Sequence, residues 1–301
     1  MFDTTATIDC AGRVLVLDRP RIMGVVNVTP DSFSDGGHHA DAAAAIAHGL
    51  RLVEEGADIL DIGGESTRPG AGDVPVEVEL ARVLPVIEGL ARQCDKVVIS
   101  IDTSKPEVIA AACSAGAGMI NDVYALRRDG ALEAAAGTRA AVCLVHMQGE
   151  PRSMQEAPAY DDVVGEVHRF LAERIFACEM SGIDKRRLLV DPGFGFGKSL
   201  QHNLLLLRQL ERLLDLGRPV LAGLSRKRMI GTLTGRDLGE RVHGSVAAAV
   251  IAVIDGAAIV RVHDVAATRD ALAVWHAVAQ QPAYAKRAGQ GGPKIAWPDD
   301  D

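Results

Sequence analysis

Short aliphatic runs alternate along the chain with longer segments of helical periodicity. Continuous apolar runs are typical of parallel strands that are covered on both faces. Eight such runs occur, at Ile22–Val28, Asp58–Ile62, Val97–Ile101, Gly118–Asn121, Ala141–Val145, Leu188–Val190, Pro219–Ala222 and Ala258–Val262. The pattern therefore predicts eight parallel strands.

The segments between the runs have the apolar spacing and the end signals of helices. In the first, Ile46, Leu50 and Val53 fall on one face, and Gly56 follows as a stop signal. In the fifth, the pair Asp161–Asp162 stands at the N-cap position. Each predicted strand is thus followed by a predicted helix.

The sixth helical segment is predicted to open after Ser199 and to end at Gly217 and Pro219. It carries the leucines Leu206, Leu210, Leu213 and Leu214.

Eight strand–helix units favour a closed TIM (β/α)8 barrel, and a doubly wound open sheet is the second choice. The segment Thr7–Leu17 has a turn between two short alternating runs, which predicts an N-terminal β-hairpin outside the eight units. Residues 1–281 are expected to form one domain. The tail 282–301 is rich in Gly, Pro and Asp and is expected to be flexible.

Composition limits the classes of function. The chain has 301 residues, of which 48% are hydrophobic but only 4% aromatic, so aliphatic side chains must fill a large core. The net charge of −8 comes without basic runs, which argues against a nucleic-acid partner.

Cysteine usage and hydropathy favour a cytoplasmic protein. The five cysteines are scattered, with no CxxC pair: Cys10, Cys94, Cys113, Cys143 and Cys178. An odd number without pairs argues against a disulfide framework and a zinc ribbon, and favours reduced core residues. The first ten residues lack a basic n-region, and no long uncharged apolar stretch predicts a membrane span.

In α/β barrels, chemistry occurs at the C-terminal ends of the strands, so the residues after each run are candidates for the site. Polar or ionisable residues stand at all eight ends, at Asn27, Glu65–Arg68, Asp102, Asn121, His146, Asp191, Ser225–Lys227 and Arg261–Asp264. Asp102 alone is equally well explained as a helix cap near Lys105. Eight polar ends together favour a shared pocket.

The glycine-rich stretch Asp191–Ser199 does not fit a nucleotide-binding loop. A Walker motif needs glycine where Pro192 stands, and a dinucleotide motif needs its third glycine where Lys198 stands. The glycines are expected to let the backbone turn sharply above the barrel.

Six segments resemble the dihydropteroate synthase family, in the family's order and each after a predicted strand. They are Asn27–Gly37, Leu60–Gly70, Ile101–Val108, Asp191–Lys198, Ser225–Lys227 and Arg261–Asp264. The resemblance extends from about Arg21 to Asp264 and implies an eight-stranded α/β barrel. It also implies a transferase of folate biosynthesis, which joins 6-hydroxymethyl-7,8-dihydropterin diphosphate to 4-aminobenzoate and releases 7,8-dihydropteroate and diphosphate.

The resemblance assigns the pterin site and the catalytic groups. Asp191 and Asn121 would accept hydrogen bonds from the pterin donor edge, with Asp102 at the other ring. Lys227 would bind the pterin carbonyl and ring nitrogen, and Arg261 the ring face and the nearby anion. Of these, Asp102, Asp191, Lys227 and Arg261 are the expected catalytic residues, and no general base is assigned.

Three further residues are expected to line the pterin pocket by resemblance. They are Met147, Phe196 and Gly223. For Met147 and Phe196, ordinary core packing is nearly as good an explanation.

The resemblance also implies a site for the diphosphate. Mg²⁺ would be the cofactor, with Asn27 as its protein ligand, since Mg²⁺ keeps most of its waters and often binds phosphate oxygens. Thr67, Arg68, Arg261 and His263 would hold the anion, although an isolated histidine such as His263 is more often structural.

The amine site would be built by two loops at residues 29–37 and 66–72. Phe33, Pro69 and Ser225 are the expected contacts for 4-aminobenzoate. Because the family closes these loops over the diphosphate, amine affinity is expected to be poor without it. Sulfonamides, as mimics of the amine, are expected inhibitors.

Three rival functions are weighed. A pterin-binding methyltransferase would not need Ser225–Lys227 or the segment Ser66–Pro69. A metal-dependent barrel hydrolase usually has paired histidines where Asn27 stands. A non-catalytic pterin-binding relative remains open, because only an activity assay excludes it.

A homodimer is also expected from the family, through Val246–Ala258 with Leu213 and Leu214. Burial of these residues within one subunit is an equally good account.

Overall fold

The computed structural model describes residues 6–29, 37–66, 72–149, 154–155 and 157–281. Ten strands lie within these ranges: β1 Thr7–Cys10, β2 Arg13–Val16, β3 Arg21–Asn27, β4 Ile59–Gly63, β5 Val98–Asp102, β6 Met119–Asp122, β7 Ala141–Val145, β8 Leu188–Asp191, β9 Leu221–Ala222 and β10 Ile259–Val262. Strands β3 to β10 match the eight aliphatic runs within a residue or two.

Strands β3 to β10 form one parallel sheet in the order β8-β7-β6-β5-β4-β3-β10-β9. Its two edges meet through a parallel bridge between Val190 and Val220, and the Val190 amide donates to the Pro219 carbonyl at 3.0 Å. The sheet is therefore closed, which confirms the TIM barrel and excludes the open doubly wound sheet. The run predicted at Pro219–Ala222 contributes only two residues to regular strand, at Leu221–Ala222.

Helices cover the outside of the barrel. They are α1 Gly37–Glu55, α2 Val76–Gln93, α3 Pro106–Ser114, α4 Ala131–Ala136, α5 Val163–Met180, α6 Leu200–Arg208, α7 Arg228–Thr234, α8 Val242–Ile254 and α9 Val265–Ala279. The predicted cap at Asp162 is present, because its carboxylate accepts from the Gly165 amide, and the Ser199 hydroxyl caps α6 by accepting from the His202 amide. Each such cap satisfies a backbone donor that the helix itself leaves unpaired.

The sixth helix is shorter than its leucine pattern predicts. It ends at Arg208, and a 3-10 helix takes over at Leu210–Leu216. Leu206, Leu210 and Leu213 are fully buried, whereas Leu214 is 44% exposed. Gly217 ends the segment in the left-handed conformation, at φ +62°.

Alternate residues of each strand point into the barrel, and the inner cluster is apolar toward the strand N-termini. It consists of Met23, Ile59, Val98, Met119, Ala141, Cys143, Val145, Leu189, Leu221 and Ile259, joined by Ile8, Cys10 and Leu15 of the hairpin. The antiparallel pair β1–β2 thus closes the bottom of the barrel, which confirms the predicted N-terminal hairpin. With this end filled, the polar inward positions gather at the opposite end.

No helix in the described ranges is both long and apolar enough to cross a membrane. The predicted flexible tail, residues 282–301, lies outside those ranges.

Candidate active site

The polar end of the barrel follows from the period-two alternation of the strands. In β4, β6 and β10 the inward positions Ile59, Met119 and Ile259 are each followed two residues later by Asp61, Asn121 and Arg261. Strand pairing aligns Asp102 with both Gly63 and Asn121. The sequence therefore changes from an apolar to a charged layer within one step along the strands.

An arginine lies at the centre of the charged layer. The Arg261 Nε donates to Asp61 Oδ2 at 2.6 Å, and its Nη2 donates to Asp102 Oδ2 at 2.8 Å. The Asn121 amide donates to the same Asp61 oxygen at 3.0 Å. Four side chains from four strands are thus held in one network of charge-assisted hydrogen bonds.

Two buried acceptors in this network have no donor among the described residues. They are Asp61 Oδ1 and Asn121 Oδ1, and both oxygens are inaccessible to solvent. A buried acceptor without a donor is costly, so such groups are rare and usually have a function. The two oxygens leave unused acceptor capacity in the charged layer that ends the barrel core.

Burial also changes the ionisation of the layer. It raises the pKa of Asp102 to about 7, although the Arg261 guanidinium opposes this rise. Arg261 itself has a raised pKa, because the charges of Asp61 and Asp102 outweigh the effect of its burial. The site therefore contains a fixed cation and a carboxylate that can gain a proton near neutral pH.

A second group of charges lies at the ends of β8 and β9. Burial lowers the pKa of Lys227 to about 8, and Asp191 opposes the change. The Asp191 carboxylate has a raised pKa from burial, and its Oδ1 accepts from the Gly193 amide at 2.7 Å. The Lys227 ammonium donates to the Phe194 carbonyl and lies 4.4 Å from the centre of the Phe196 ring.

The glycine-rich turn after β8 needs its glycines. Gly193, Gly195 and Gly197 all have positive φ, at +69°, +78° and +60°. A Cβ added at Gly193 would lie 1.8 Å from the His146 carbonyl oxygen, and one at Gly197 would lie 2.2 Å from the Gln148 carbonyl oxygen. The turn therefore packs its backbone directly against the chain that follows β7.

Ser225 and His263 contact each other at the ends of β9 and β10. The Ser225 hydroxyl accepts from the His263 amide at 3.2 Å and lies 3.0 Å from its Nδ1. Between Ser225 and Lys227, Arg226 has a left-handed φ of +58° and forms a bidentate ion pair with Asp264, at 3.0 and 2.5 Å. This pair fixes the turn that directs Lys227 toward Asp191.

Asn27 lies at the end of β3 beside Asp102. A methyl group built on Gly63 would lie 3.8 Å from Asn27 Oδ1 and 3.9 Å from Asp102 Oδ2, so both oxygens border the same space. Within the described part of the chain, no group of three His, Cys, Asp or Glu side chains could hold a metal. Hard oxygen donors in small number fit an ion that keeps most of its waters, as Mg²⁺ does.

The remaining predicted pocket residues differ in how close they lie to the charged groups. Gly223 lies between the two charged groups, since an added Cβ would lie 3.7 Å from Asp191 Oδ2 and 3.8 Å from the Arg261 Cβ. Phe196 is half-buried beneath the Lys227 ammonium, whereas Met147 is buried at 2% exposure. Ordinary packing accounts for Met147 as well as a pocket wall does.

Comparison with known proteins gives the family. The family model for the pterin binding enzyme matches residues 23–263. The Escherichia coli K12 dihydropteroate synthase is 54% identical over 263 residues, which cover 87% of this chain and 93% of that protein. The chain belongs to the dihydropteroate synthase family.

Solved structures of this family agree with the fold. The Xanthomonas albilineans dihydropteroate synthase with 4-aminobenzoic acid has 66% identity and a TM-score of 0.88, covering 93% of this chain and all of that one. The enzyme of the same organism in complex with 7,8-dihydropteroate has 64% identity and a TM-score of 0.84, covering 92% of this chain and all of that one. Family membership disfavours the hydrolase and the methyltransferase.

Four residues that the family resemblance assigns to substrates lie outside the described ranges. They are Phe33, Thr67, Arg68 and Pro69. Their roles in binding the amine and the diphosphate stay predictions.

Asp61 is the main site residue that sequence reasoning missed. It stands one residue before the end of the predicted strand Asp58–Ile62, as Arg261 does in Ala258–Val262, but the sequence prediction assigned it no role. The available signal was a carboxylate within an otherwise apolar run, because a buried charge needs a partner.

Glu79 and Lys105 were also missed. The Lys105 ammonium, buried at the start of α3, donates to both Glu65 and Glu79. This cluster ties the end of β4 to α2.

Proposed function

We infer that this protein condenses 6-hydroxymethyl-7,8-dihydropterin diphosphate with 4-aminobenzoate, giving 7,8-dihydropteroate and diphosphate. The reaction is a group transfer of folate biosynthesis. One observation carries the inference: a buried layer of charges in which Asp61 Oδ1 and Asn121 Oδ1 have no described protein donor. A pterin supplies an amino group and ring N–H donors in one plane, which suits acceptors of this kind.

The pterin is oriented by charges of both signs. Asp191 and Asn121 accept from its donor edge, and Asp102 accepts from the second ring. The Lys227 ammonium donates to the pterin carbonyl and ring nitrogen, with Phe196 below it. Arg261, already held by two carboxylates, presents its planar face to the ring.

Departure of diphosphate requires neutralisation of its negative charge. Arg261 and His263 at the end of β10 bind the leaving anion, with Thr67 and Arg68 from the second loop. Mg²⁺, when bound, would supply further positive charge to the diphosphate oxygens, and Asn27 would hold it.

The carbon that is attacked becomes electron-poor as diphosphate leaves. Asp102 and Asp191 lie where their charges stabilise a cation delocalised into the pterin. The aromatic amine attacks while neutral, so no general base is required. A normal-sized isotope effect for a bond-forming attack at the methylene carbon would contradict this dissociative path.

The amine binds last, against Ser225 and the loops that carry Phe33 and Pro69. Sulfonamides resemble the amine in shape and charge, and they are expected to compete with it. The choice of 4-aminobenzoate as the amine is supported by the structure of the Xanthomonas albilineans enzyme with 4-aminobenzoic acid.

The protein is proposed to act as a homodimer in the cytoplasm. Helices α8 and α9 carry exposed apolar side chains at Ile251, Ile254, Val274 and Val278. Leu214 is exposed as well, but Leu213 is fully buried in the monomer and is no longer a candidate for the interface. Light scattering of the purified protein, and of the Ile254→Glu variant, tests the assembly.

The deciding experiment is a diphosphate-release assay. The protein is mixed with the pterin diphosphate, Mg²⁺ and 4-aminobenzoate, and each component is left out in turn. Release that needs all three, with 7,8-dihydropteroate as product, supports the function. Pterin binding without product would identify a non-catalytic relative, and no pterin binding would contradict the inference.

A further inference from the structure

A buried lysine that the proposed chemistry does not use lies behind the pterin site. Lys198 has 2% exposure, and its Nζ lies 2.8 Å from His146 Nδ1. The same nitrogen lies 3.0 Å from the Gly193 carbonyl and 3.0 Å from the Phe196 carbonyl. Three acceptors therefore lie within 3.0 Å of one amine, and the His146 carbonyl lies farther away, at 3.5 Å.

The three acceptors match the three N–H donors of an ammonium group, and this geometry opposes the burial and the Lys227 charge that lower the pKa of Lys198 well below its usual range. The His146 Nδ1 must then accept, so the ring is neutral and carries its hydrogen on Nε2. Burial, helped by the charge of Lys198, lowers the pKa of His146 to about 2, which agrees with a neutral ring. An edge-to-face contact with Phe170, at 4.8 Å between ring centres, also fixes the orientation of the imidazole.

Side chains hold the whole glycine-rich turn. Each of the five carbonyl groups from residue 193 to residue 197 accepts a hydrogen bond from a side chain. The donors are Lys198 for Gly193 and Phe196, Lys227 for Phe194, Gln155 for Gly195, and Tyr160 for Gly197. A turn with three left-handed glycines has many alternative conformations, so these bonds select one of them.

Lys198 and Lys227 both donate to carbonyl groups of the same turn. Lys198 is buried beside His146, whereas Lys227 lies near Asp191 and the Phe196 ring. The Phe194 carbonyl that receives Lys227 lies between the two carbonyls that receive Lys198. Movement of the turn would therefore displace both the Lys227 ammonium and the Phe196 ring.

We propose that Lys198, with His146 as its acceptor, is a positioning residue that sets the Gly193–Gly197 turn and thereby aligns Lys227 and Phe196 for the pterin substrate. The proposal rests on the proposed function. A positioning role differs from a purely structural one in its effect on the two substrates. Loss of Lys198 should weaken the binding of the pterin substrate but not that of 4-aminobenzoate.

The test uses the Lys198→Met variant of the full chain, which keeps an unbranched side chain one atom shorter than lysine but removes all three donors. Initial rates are measured with each substrate varied in turn. We expect the KM for the pterin diphosphate to rise by about tenfold or more, and the KM for 4-aminobenzoate to stay within about twofold. Lys185→Met makes the same change at an exposed position and should leave both constants unchanged.

A second pair of variants covers the case in which Lys198→Met does not fold. His146→Asn retains an acceptor close to the position of Nδ1, whereas His146→Leu removes it. We expect the asparagine variant to keep a pterin KM near that of the wild type and the leucine variant to raise it several-fold.

Two results would overturn the proposal. One is an unchanged pterin KM in Lys198→Met or, if that variant does not fold, in His146→Leu. The other is a loss of kcat with both KM values unchanged, in proportion to the folded fraction. Wild-type protein that binds no pterin would instead contradict the proposed function, which separates the two failures.

Discussion

The guanidinium of Arg261 donates to Asp61 at 2.6 Å, and the Asp61 side chain has no solvent exposure. The second oxygen of this carboxylate has no described protein donor. Asp61 thus holds the arginine with one oxygen, and its other oxygen is buried in the same charged layer. Because the charge of Asp61 is buried, it depends on Arg261 for compensation, whereas Arg261 also pairs with Asp102.

The first prediction concerns this pair. Asp61→Asn keeps the size of the side chain but removes one of the two carboxylates that compensate Arg261, and Asp102 remains. We expect the free energy of unfolding to fall by about 2 kcal/mol, which is typical of one lost hydrogen bond between charged groups. We also expect kcat/KM for the pterin to fall by about a hundredfold, measured by initial rates at low substrate concentration.

Asp58→Asn is the matched control for Asp61→Asn. Asp58 immediately precedes β4 at the opposite end of the barrel, where it pairs with Arg19 and Arg21 at 2.6 and 3.0 Å. Its substitution should lower stability but leave the pterin KM unchanged. An equal effect of both variants on that KM would exclude a specific role for Asp61.

The second prediction separates recognition from local structure at Asp191. This carboxylate accepts from the Gly193 amide, and α6 begins only at Leu200, so Asp191 is not a helix cap. We expect Asp191→Asn to cost about 1 kcal/mol of stability for the weaker turn contact, and to abolish most turnover. Lys227→Ala should likewise lose turnover while the fold survives, as seen by circular dichroism. Turnover close to that of the wild type in either variant would contradict its role in reading the pterin.

The third prediction is a bell-shaped dependence of kcat/KM on pH. Lys227, with a pKa of about 8, loses its charge as the pH rises through that value, and the pterin carbonyl then loses a charged donor. Asp102, with a pKa of about 7, loses its negative charge as the pH falls through that value. We expect the maximum between these two values, because kcat/KM reports the ionisation of the free enzyme.

The same shifts affect stability, with opposite signs. Between about pH 8 and 10.5 the unfolded chain holds the Lys227 proton more tightly, so the free energy of unfolding rises with pH. Between pH 3.8 and about 7 the folded protein holds the Asp102 proton more tightly, so this free energy falls as pH rises. Urea unfolding of Lys227→Met should lack the first trend and that of Asp102→Asn the second.

The fourth prediction concerns the order of binding. If the amine site is completed over the diphosphate, 4-aminobenzoate should bind weakly to the protein with Mg²⁺ alone. Addition of pyrophosphate and a pterin should strengthen this binding by at least about tenfold in calorimetric titrations. Equal affinity in the presence and absence of pyrophosphate would exclude this order.

The barrel was predictable because each strand carries a continuous apolar run, which few other structures require. The polar ends were predictable for the same reason, since parallel strands bring their C-termini to one rim. Asp61 was not, because its ion-pair partner, Arg261, comes two hundred positions later, and only the closed sheet brings the two together.

The end of the sixth helix could not be predicted from the pattern of hydrophobic residues. Leu210, Leu213 and Leu216 are spaced three apart, which suits one face of an α-helix and of a 3-10 helix alike, so the change of period after Arg208 leaves no signal in the hydrophobic pattern. Lys198 is a similar case. The sequence around it excludes a phosphate loop, but its binding of the turn depends on His146 from another strand end.

The last prediction tests how closely the glycine-rich turn packs. Gly193→Ala would place a methyl group 1.8 Å from the His146 carbonyl oxygen, at a φ of +69°. Gly217→Ala has a similar φ, +62°, but nothing lies within 4 Å of its added methyl group. The left-handed conformation alone costs about 1 to 2 kcal/mol, so this is the expected loss for Gly217→Ala. Gly193→Ala should lose at least about 2 kcal/mol more, because backbone must move, and the pterin KM should rise with it. Equal losses of stability in urea unfolding would mean that the turn can shift away from β7 at no cost, and the close packing would then have no part in shaping the site.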